Sequence, residues 1–210
     1  MLVYPSTILP LMPSRPTCSH CQRPLSVCLC ETIVQRDSVY RVLILQHPKE
    51  ARHALSSAPL LRRSIGNSCL LVGEVFDPPE IVGANWRDTS VLLYPGESAM
   101  TASAVESKGI SQLIVLDGTW RKTAKILHLN PWLGELPRLA LQPNSPSRYR
   151  IRKAPRPDSL STIEATAEAL NLLHGNTEFT AILGAFERMI DQQIEAMGET
   201  TFKRNYADRQ

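Results

Sequence analysis

The amino-acid sequence predicts an α/β fold in which a mostly parallel sheet carries helices on both faces, with a small cysteine module in front of it. Short apolar runs of the buried-strand kind alternate with segments of helical character, which is the pattern of parallel strands joined by helices. Four of the five cysteines lie close together near the start of the chain. The chain has 210 residues, a length that suits one domain with a small appendage.

Residues 1–17 are interrupted by four prolines, so we expect a tail without regular structure. This stretch lacks a basic start and a long apolar run, which makes it a poor secretory signal. No apolar run approaches the about 20 residues needed to cross a bilayer. We therefore expect a cytoplasmic protein without membrane association. The net charge of +3 is too mild to establish a polyanionic partner, and nothing implies a protein partner.

The cysteine module spans residues 18–37. Cys18 and Cys21 form a C-x-x-C pair, and Cys28 and Cys30 form a C-x-C pair after a short gap. Four thiolates suit a closed, tetrahedral zinc site, and a reducing compartment favours metal binding over disulfides. The sequence therefore predicts a structural zinc knuckle. A redox dithiol, two disulfides and coincidence are the alternatives, and such a knuckle either contacts RNA or only braces the fold.

The remaining chain, residues 38–210, is predicted to be one domain. Strands are predicted from apolar runs at 40–46, 69–73, 91–95, 112–117 and 138–142. A helix is predicted over 48–58, where proline comes first and good helix formers follow. Ser161 and Glu164 fit a capping box that starts a helix ending near Gly175, and a second helix follows over 178–197.

Three loops follow predicted strands, at 47–53, 95–99 and 117–120. Ligands of α/β sheets bind outside the carboxyl ends of the strands, so these loops are candidate site segments. Asp117 ends an apolar strand, where a carboxylate serves as a base or binds a cation, or only caps the next helix. Trp120 either lies in the core or at the site, and His47 either acts there or forms a hydrogen bond in a turn.

A basic segment follows, with five basic residues and no acid between Arg148 and Arg156. Such a run with an interleaved tyrosine is typical of a nucleic-acid backbone contact, although a solvated loop with acidic neighbours elsewhere is the alternative. The predicted RNA-binding residues are Arg148, Tyr149, Arg150, Arg152, Lys153, Arg156, Arg62 and Arg63. The sequence has no dinucleotide-binding fingerprint and no P-loop.

Four features together resemble the DTW-domain family, the tRNA-uridine aminocarboxypropyltransferases, of the bacterial type. They are the cysteine pairs, HPKEARHALSSAPLL (47–61), the D-x-T-W signature at 117–120, and SPSRYRIRKAP followed by LSTIEA (145–165). The resemblance runs from Cys18 to the final helix. It implies a SPOUT-like fold with a C-terminal knot. It also implies transfer of the 3-amino-3-carboxypropyl group of S-adenosylmethionine to N3 of a tRNA uridine, in the variable loop, with release of methylthioadenosine.

The resemblance also implies roles for particular residues. N3 of uridine is a poor nucleophile while protonated, so Asp117 is expected to take that proton or to orient the base. The expected catalytic residues are Asp117, Thr119 and Trp120. The expected cofactor-binding residues are Pro95, Gly96, Glu97, Ser98, Leu116, Asp117, Ser161, Thr162 and Glu164. The helix start at Ser161 is a natural place for the cofactor's carboxylate, although Glu164 alternatively serves only the capping box. A SPOUT-like RNA methyltransferase and a non-catalytic zinc-knuckle RNA-binding protein are the competing functions.

Overall fold

A computed structural model describes residues 15–96, 99–142, 146–151 and 159–206. Most of the predicted tail, together with Glu97, Ser98 and the segment 152–158, lies outside these residues. The described strands are β1 (Arg41–Gln46), β2 (Ser68–Val72), β3 (Ser90–Leu93), β4 (Ala99–Met100), β5 (Gln112–Asp117) and β6 (Arg138–Leu139). They form one sheet in the order β2-β1-β5-β3-β6-β4, and every pair is parallel. The predicted parallel α/β class is confirmed.

The helices of the described chain are mostly short. They are α1 (Pro48–Ala51), α2 (Ala58–Ser64), α3 (Pro78–Ile81), α4 (Trp86–Thr89), α5 (Ala102–Ser107), α6 (Trp120–Leu129), α7 (Trp132–Glu135), α8 (Thr162–His174), α9 (Leu183–Met197) and α10 (Glu199–Tyr206). Three 3₁₀ turns lie at Leu25–Val27, Cys30–Thr32 and Glu178–Ile182. No helix of the described residues is long and apolar enough to cross a membrane.

The sheet is covered on both faces because successive side chains of each strand point to opposite sides. Two separate apolar clusters result. One joins Val42 and Ile44 of β1 to Leu170 of α8 and Phe186 of α9. The other joins Leu43 and Leu45 of β1 to Ile126 of α6 and Trp132 of α7. Strands buried on both faces need the continuous apolar runs that the sequence contains.

Two predicted elements differ from the structure. The single helix predicted over 48–58 is wrong, since α1 ends at Ala51 and α2 begins at Ala58. Pro59 lies in the first turn of α2, where proline is tolerated. The residues between the two helices form turns, in which the N–H groups of His53 and Ser56 donate to the carbonyls of Glu50 and His53. The helix predicted over 178–197 begins as a 3₁₀ turn and becomes α-helical at Leu183. The capping box at Ser161 and the left-handed stop at Gly175 are confirmed.

The cysteine module packs directly on the domain. Leu29 is buried within the larger apolar cluster. Arg23 donates from Nη1 to the carbonyl oxygen of Ala54, and Arg63 donates from Nε to that of His20. The module is therefore held by a core contact at Leu29, by a hydrogen bond that it donates to the domain and by one that it accepts from it. The boundary at residue 38 stays a prediction, as does the knot, because part of the path between β6 and α8 lies outside the described residues.

Candidate active site and metal centre

A cleft of about 240 Å³ opens at the carboxyl ends of β3, β5 and β6. It is lined mainly by apolar side chains, with aromatic rings at one part and hydroxyl groups at another. The lining residues are Leu93, Tyr94, Pro95, Val115, Leu116, Gly118, Trp120, Thr123, Leu139, Leu141, Ser159, Leu160, Ser161, Thr162 and Ala165. All three loops predicted as site segments begin at this edge of the sheet, because β1, β5 and β3 are adjacent and parallel.

Asp117 ends β5 and is buried, with 6% of its surface exposed. Its Oδ1 accepts a hydrogen bond from the hydroxyl of Thr162 at 2.6 Å. Its Oδ2 accepts one from Nε2 of Gln46 at 2.8 Å, and Gln46 lies directly opposite Asp117 in the pairing of β1 with β5. The same amide nitrogen of Gln46 donates to the hydroxyl of Ser56. The carboxylate is therefore held from two sides, by a strand and by a helix.

Gln46 was missed from the sequence because it looks like the polar end of an apolar strand. The position of Gln46 at the end of a predicted strand was the one indication in the sequence. A residue that ends β1 lies beside the residue that ends β5 only if the two strands are parallel neighbours. Sequence alone does not establish that pairing.

The D-x-T-W turn joins β5 to α6. Thr119 is exposed and precedes the helix, and Trp120 is its first residue. Trp120 is 48% exposed and lies edge-on to Tyr94, with 5.9 Å between ring centroids. The alternative of a core tryptophan is therefore wrong: the indole lies at the rim of the cleft, where one face of an aromatic ring is available to stack on a base.

Ion pairs tie α6 to the segment after β1. Lys122 pairs with Glu50 of α1. Lys125 pairs with Glu74 at 2.6 Å, and Glu74 also pairs with Nε2 of His47 at 2.8 Å. Lys125, and then His47, lower the pKa of the Glu74 carboxyl. These contacts hold the helix that carries the D-x-T-W turn against the HPKEA segment.

The alternative interpretation of His47 is confirmed. Its Nδ1 accepts a hydrogen bond from the backbone N–H of Lys49, which caps α1. His47 also donates its own backbone N–H to the carbonyl of Asp117. Its place in the site is therefore to fix the turn after β1 beside the end of β5.

Glu164 is buried, and its carboxylate binds both the loop at residues 147–148 and the start of α8. Its Oε2 accepts hydrogen bonds from the hydroxyl of Ser147, and from both the N–H and the hydroxyl of Ser161. Its Oε1 accepts the backbone N–H of Arg148. Glu164 is not among the residues lining the cleft, whereas Ser161 and Thr162 are. Its contacts are those of the capping box, extended to the loop that contains Ser147.

The predicted cofactor loop after β3 contributes Pro95 to the cleft. The carbonyl of Pro95 accepts a hydrogen bond from Nη1 of Arg138 at 2.7 Å. A Cβ on Gly96 would lie 2.6 Å from Cδ of Arg138, so a larger residue here would displace the Arg138 side chain. Glu97 and Ser98 lie outside the described residues. Leu116 lines the cleft.

The described part of the basic segment has acidic neighbours. Arg148 pairs with Glu187, and Arg150 pairs with Asp191 of α9. All four side chains are more than a third exposed, and such pairs contribute about 1 kcal/mol or less. These arginines can therefore exchange their partners for phosphates at little cost.

The other predicted RNA-binding residues differ in their surroundings. Tyr149 packs edge-on against Phe186 at 5.2 Å. Arg63 is bound to the cysteine module, whereas Arg62 is exposed. Arg152, Lys153 and Arg156 lie outside the described residues. By contrast, Arg121, exposed beside Trp120, forms no ion pair with any residue that the structure describes.

The four clustered cysteines form a candidate metal centre. Their sulfur atoms all lie within 4.8 Å of one another. Cys18 and Cys30 are 3.5 Å apart, and Cys21 and Cys28 are 3.6 Å apart. A tetrahedron of sulfurs about 2.3 Å from zinc has edges of about 3.8 Å. The four thiolates are thus arranged to hold one metal ion, and the donor set fits zinc.

The acid–base properties of the thiols also fit a cation. Backbone N–H groups of Cys21 and His20 lower the pKa of Cys18 to about 6. The adjacent sulfurs of Cys18 and Cys28 raise the pKa of Cys30 to about 12. The negative charges of neighbouring thiolates therefore repel one another in the absence of a positive charge, and a bound divalent cation offsets that repulsion.

The protein is a parallel α/β domain with a cleft at the carboxyl ends of its central strands and a four-cysteine module packed against it. The chain belongs to the DTW-domain family, whose model matches residues 15–194. The match spans both the cysteine module and the α/β domain.

Three curated proteins that resemble this chain share the same name. tRNA-uridine aminocarboxypropyltransferase 2 of Macaca fascicularis is 32% identical over 180 residues, covering 80% of this chain and 60% of that protein. The Mus musculus protein of the same name is 34% identical over 173 residues, covering 77% and 58%. That of Drosophila melanogaster is 29% identical over 181 residues, covering 80% and 71%. The chain thus spans about three-fifths of the length of the first two relatives. No solved structure matches the chain.

Proposed function

We propose that this protein transfers the 3-amino-3-carboxypropyl group of S-adenosylmethionine to N3 of a tRNA uridine, most readily one in the variable loop, and releases methylthioadenosine. Membership of the DTW-domain family and the printed names of the relatives support the reaction. The observation that supports it best is the buried carboxylate of Asp117, which accepts a hydrogen bond from the cleft-lining Thr162 and lies in sequence between the lining residues Leu116 and Gly118. The partner is then tRNA, in the cytoplasm.

The cleft fits S-adenosylmethionine in chemical character. Its apolar walls at Leu93, Leu116 and Leu139 suit the adenosine, and its hydroxyl groups at Ser161 and Thr162 suit the amino-acid end. When bound, this co-substrate supplies a sulfonium leaving group on the carbon to be transferred. The protein then has mainly to orient that carbon rather than the methyl group toward N3, which is catalysis by positioning.

Asp117 is the proposed base. Gln46 and Thr162 hold its carboxylate at a defined angle, and a carboxylate within reach of N3–H accepts that proton as N3 bonds to carbon and the carbon–sulfur bond breaks. Trp120 is proposed to stack on uracil or adenine from the rim, beside Thr119 in the same turn. The cysteine module is proposed to hold a structural zinc, because four thiolates leave no open position.

The test is mass spectrometry on a reaction of the purified protein, unmodified tRNA and S-adenosylmethionine. Methylthioadenosine together with a uridine enlarged by an aminocarboxypropyl group is expected. Mapping the modified nucleotide decides between the variable loop and another position. S-adenosylhomocysteine with a methylated base would identify a methyltransferase instead. Bound tRNA without either product would favour a zinc-knuckle RNA-binding protein.

The role of Asp117 is tested by Asp117→Asn. We expect product formation to fall about 10²- to 10⁴-fold, with binding of S-adenosylmethionine retained. Asp88→Asn, at an exposed position of α4, is the matched control and should be fully active. An active Asp117→Asn protein would refute the proposed base.

Gln46→Met tests whether the strand-to-strand hydrogen bond positions that base. The substitution removes the donor to Asp117 at similar volume, so we expect kcat to fall about 10-fold or more. The KM for S-adenosylmethionine should stay unchanged, because Gln46 does not line the cleft. Gln112→Met, at the opposite end of β5, should leave kcat unchanged. Equal loss in both variants would mean that the effect is general destabilisation.

A further inference from the structure

We infer that the hydroxyl groups at the start of α8 recognise the amino group, and not the carboxylate, of the amino-acid part of S-adenosylmethionine. The inference rests on the proposed function and adds to it the orientation of the co-substrate within the cleft. Thr162 and Ser161 are the two residues concerned, and both line the cleft. A helix N-terminus ordinarily binds anions, so its general properties would favour the carboxylate here.

The hydrogen bond between Thr162 and Asp117 has a defined direction. A hydroxyl has one proton to donate and two lone pairs, whereas an ionised carboxylate only accepts. The proton of Thr162 Oγ1 is therefore directed at Oδ1 of Asp117, 2.6 Å away. Toward a ligand in the cleft, Thr162 then offers lone pairs alone. A ligand carboxylate, which has no proton to give, finds no donor in that hydroxyl.

Ser161 repeats the arrangement with the second carboxylate. Its hydroxyl donates to Oε2 of Glu164 at 2.6 Å, and it also accepts the backbone N–H of Glu164 in the capping box. The hydroxyl proton of Ser161 is therefore also committed to an acid. Both hydroxyls of this part of the cleft are acceptors toward a ligand, because both are backed by carboxylates.

The charges agree with this polarity. Two buried carboxylates, Asp117 and Glu164, accept the hydrogen bonds of these hydroxyls, and their negative charge opposes the about +0.5 charge of a helix N-terminus. Among the described residues, no lysine or arginine lines the cleft. An ammonium group brings three donors and a positive charge to such a place. A carboxylate would bring a third negative charge to a part of the cleft where the described lining residues supply no lysine or arginine.

The test compares three compounds by isothermal titration calorimetry: S-adenosylmethionine, its deaminated form and its decarboxylated form. The native protein should bind the deaminated form about 10- to 100-fold more weakly than S-adenosylmethionine, which is the ratio expected for a hydrogen bond to a charged group. In Thr162→Val, which keeps the shape but removes the oxygen, this ratio should shrink toward one. Thr162→Ser, which keeps the hydroxyl, should restore it.

Thr166→Val is the control for disturbance of the helix. Thr166 lies one turn further along α8, is fully buried, and donates to the carbonyl of Thr162 without lining the cleft. It should keep the full ratio between S-adenosylmethionine and its deaminated form.

Two results would overturn the inference while leaving the proposed function intact. One is an unchanged deamination ratio in Thr162→Val. The other is a ratio that shrinks for the decarboxylated form instead, which would place the carboxylate at Thr162. A native protein that binds none of the three compounds would refute the proposed function itself, and the inference with it.

Discussion

Replacing Glu164 by alanine should destabilise the whole domain. The side chain is 5% exposed and accepts four hydrogen bonds, at 2.8 Å from the Ser147 hydroxyl, 2.5 Å from the Arg148 N–H, and 2.8 and 2.6 Å from Ser161. These bonds join the start of the basic segment, at Ser147 and Arg148, to the start of α8. Alanine removes the acceptor for all of them and leaves a buried space.

The magnitude follows from the number and type of these bonds. A hydrogen bond to a charged group contributes about 1.5–3 kcal/mol, and four that share one carboxylate are not additive. Counting only two of them gives a loss of about 3 kcal/mol or more. This is a large part of the about 5–15 kcal/mol that stabilises a typical domain. With an unfolding slope of about 2 kcal/mol per molar urea, the midpoint should fall by about 1.5 M.

The assay is equilibrium urea unfolding at pH 7, with Glu168→Ala as the matched control one turn along the same helix. Burial, and then the charge of Glu164, raise the pKa of Glu168. A raised pKa means that folding favours the protonated form, so any stabilisation by this group is present at low pH and is lost as pH rises through that pKa. At pH 7 the control should unfold at or above the native midpoint. Equal downward shifts in both variants would refute the reasoning.

Two further predictions concern the metal and the RNA. Removal of the metal by a strong chelator should lower Tm, because a site that forms only on folding contributes its binding free energy to stability. Cys28→Ser should bind less zinc, whereas Cys69→Ser, outside the cluster, should bind one ion per chain. A Tm that does not change with the chelator would contradict a structural metal. Arg121→Gln should weaken tRNA binding and reduce the slope of log K against log salt by about one. The control is Arg188→Gln, since Arg188 pairs with Glu195 on α9, and it should change neither the affinity nor the slope. Identical salt slopes for the two variants would show that Arg121 does not contact the RNA.

Much of the fold could be predicted from the sequence, because its strongest signals are local. The apolar runs of β1 and β5 read as buried strands, and both are buried on two faces in the structure. The capping box of α8 and its glycine stop depend on residues three or fewer positions from the helix ends. The short helices α3, α4 and α7 were missed, since four residues do not establish a 3.6-residue period.

The candidate site was predictable only in part. Asp117 stands out because it ends an apolar strand, and the strand-end rule places it at a cleft. Gln46 and Thr162, which hold it, are 71 and 45 positions away in sequence. The acidic partners of Arg148 and Arg150 lie on α9, about 40 residues later. Such contacts depend on which elements become neighbours, and residue patterns do not encode that directly.

The order of the strands has a consequence for how the domain is made. β5 lies between β1 and β3, yet both of these neighbours leave the ribosome before it. Until residue 117 has emerged, β1 has only β2 beside it and β3 lacks its central partner, so apolar edges stay open to wrong pairing. The contacts that close the sheet join residues far apart in sequence, which slows folding. Synthesis therefore passes through a period in which the nascent chain is most exposed to aggregation, and that period ends when the strand carrying Asp117 is inserted.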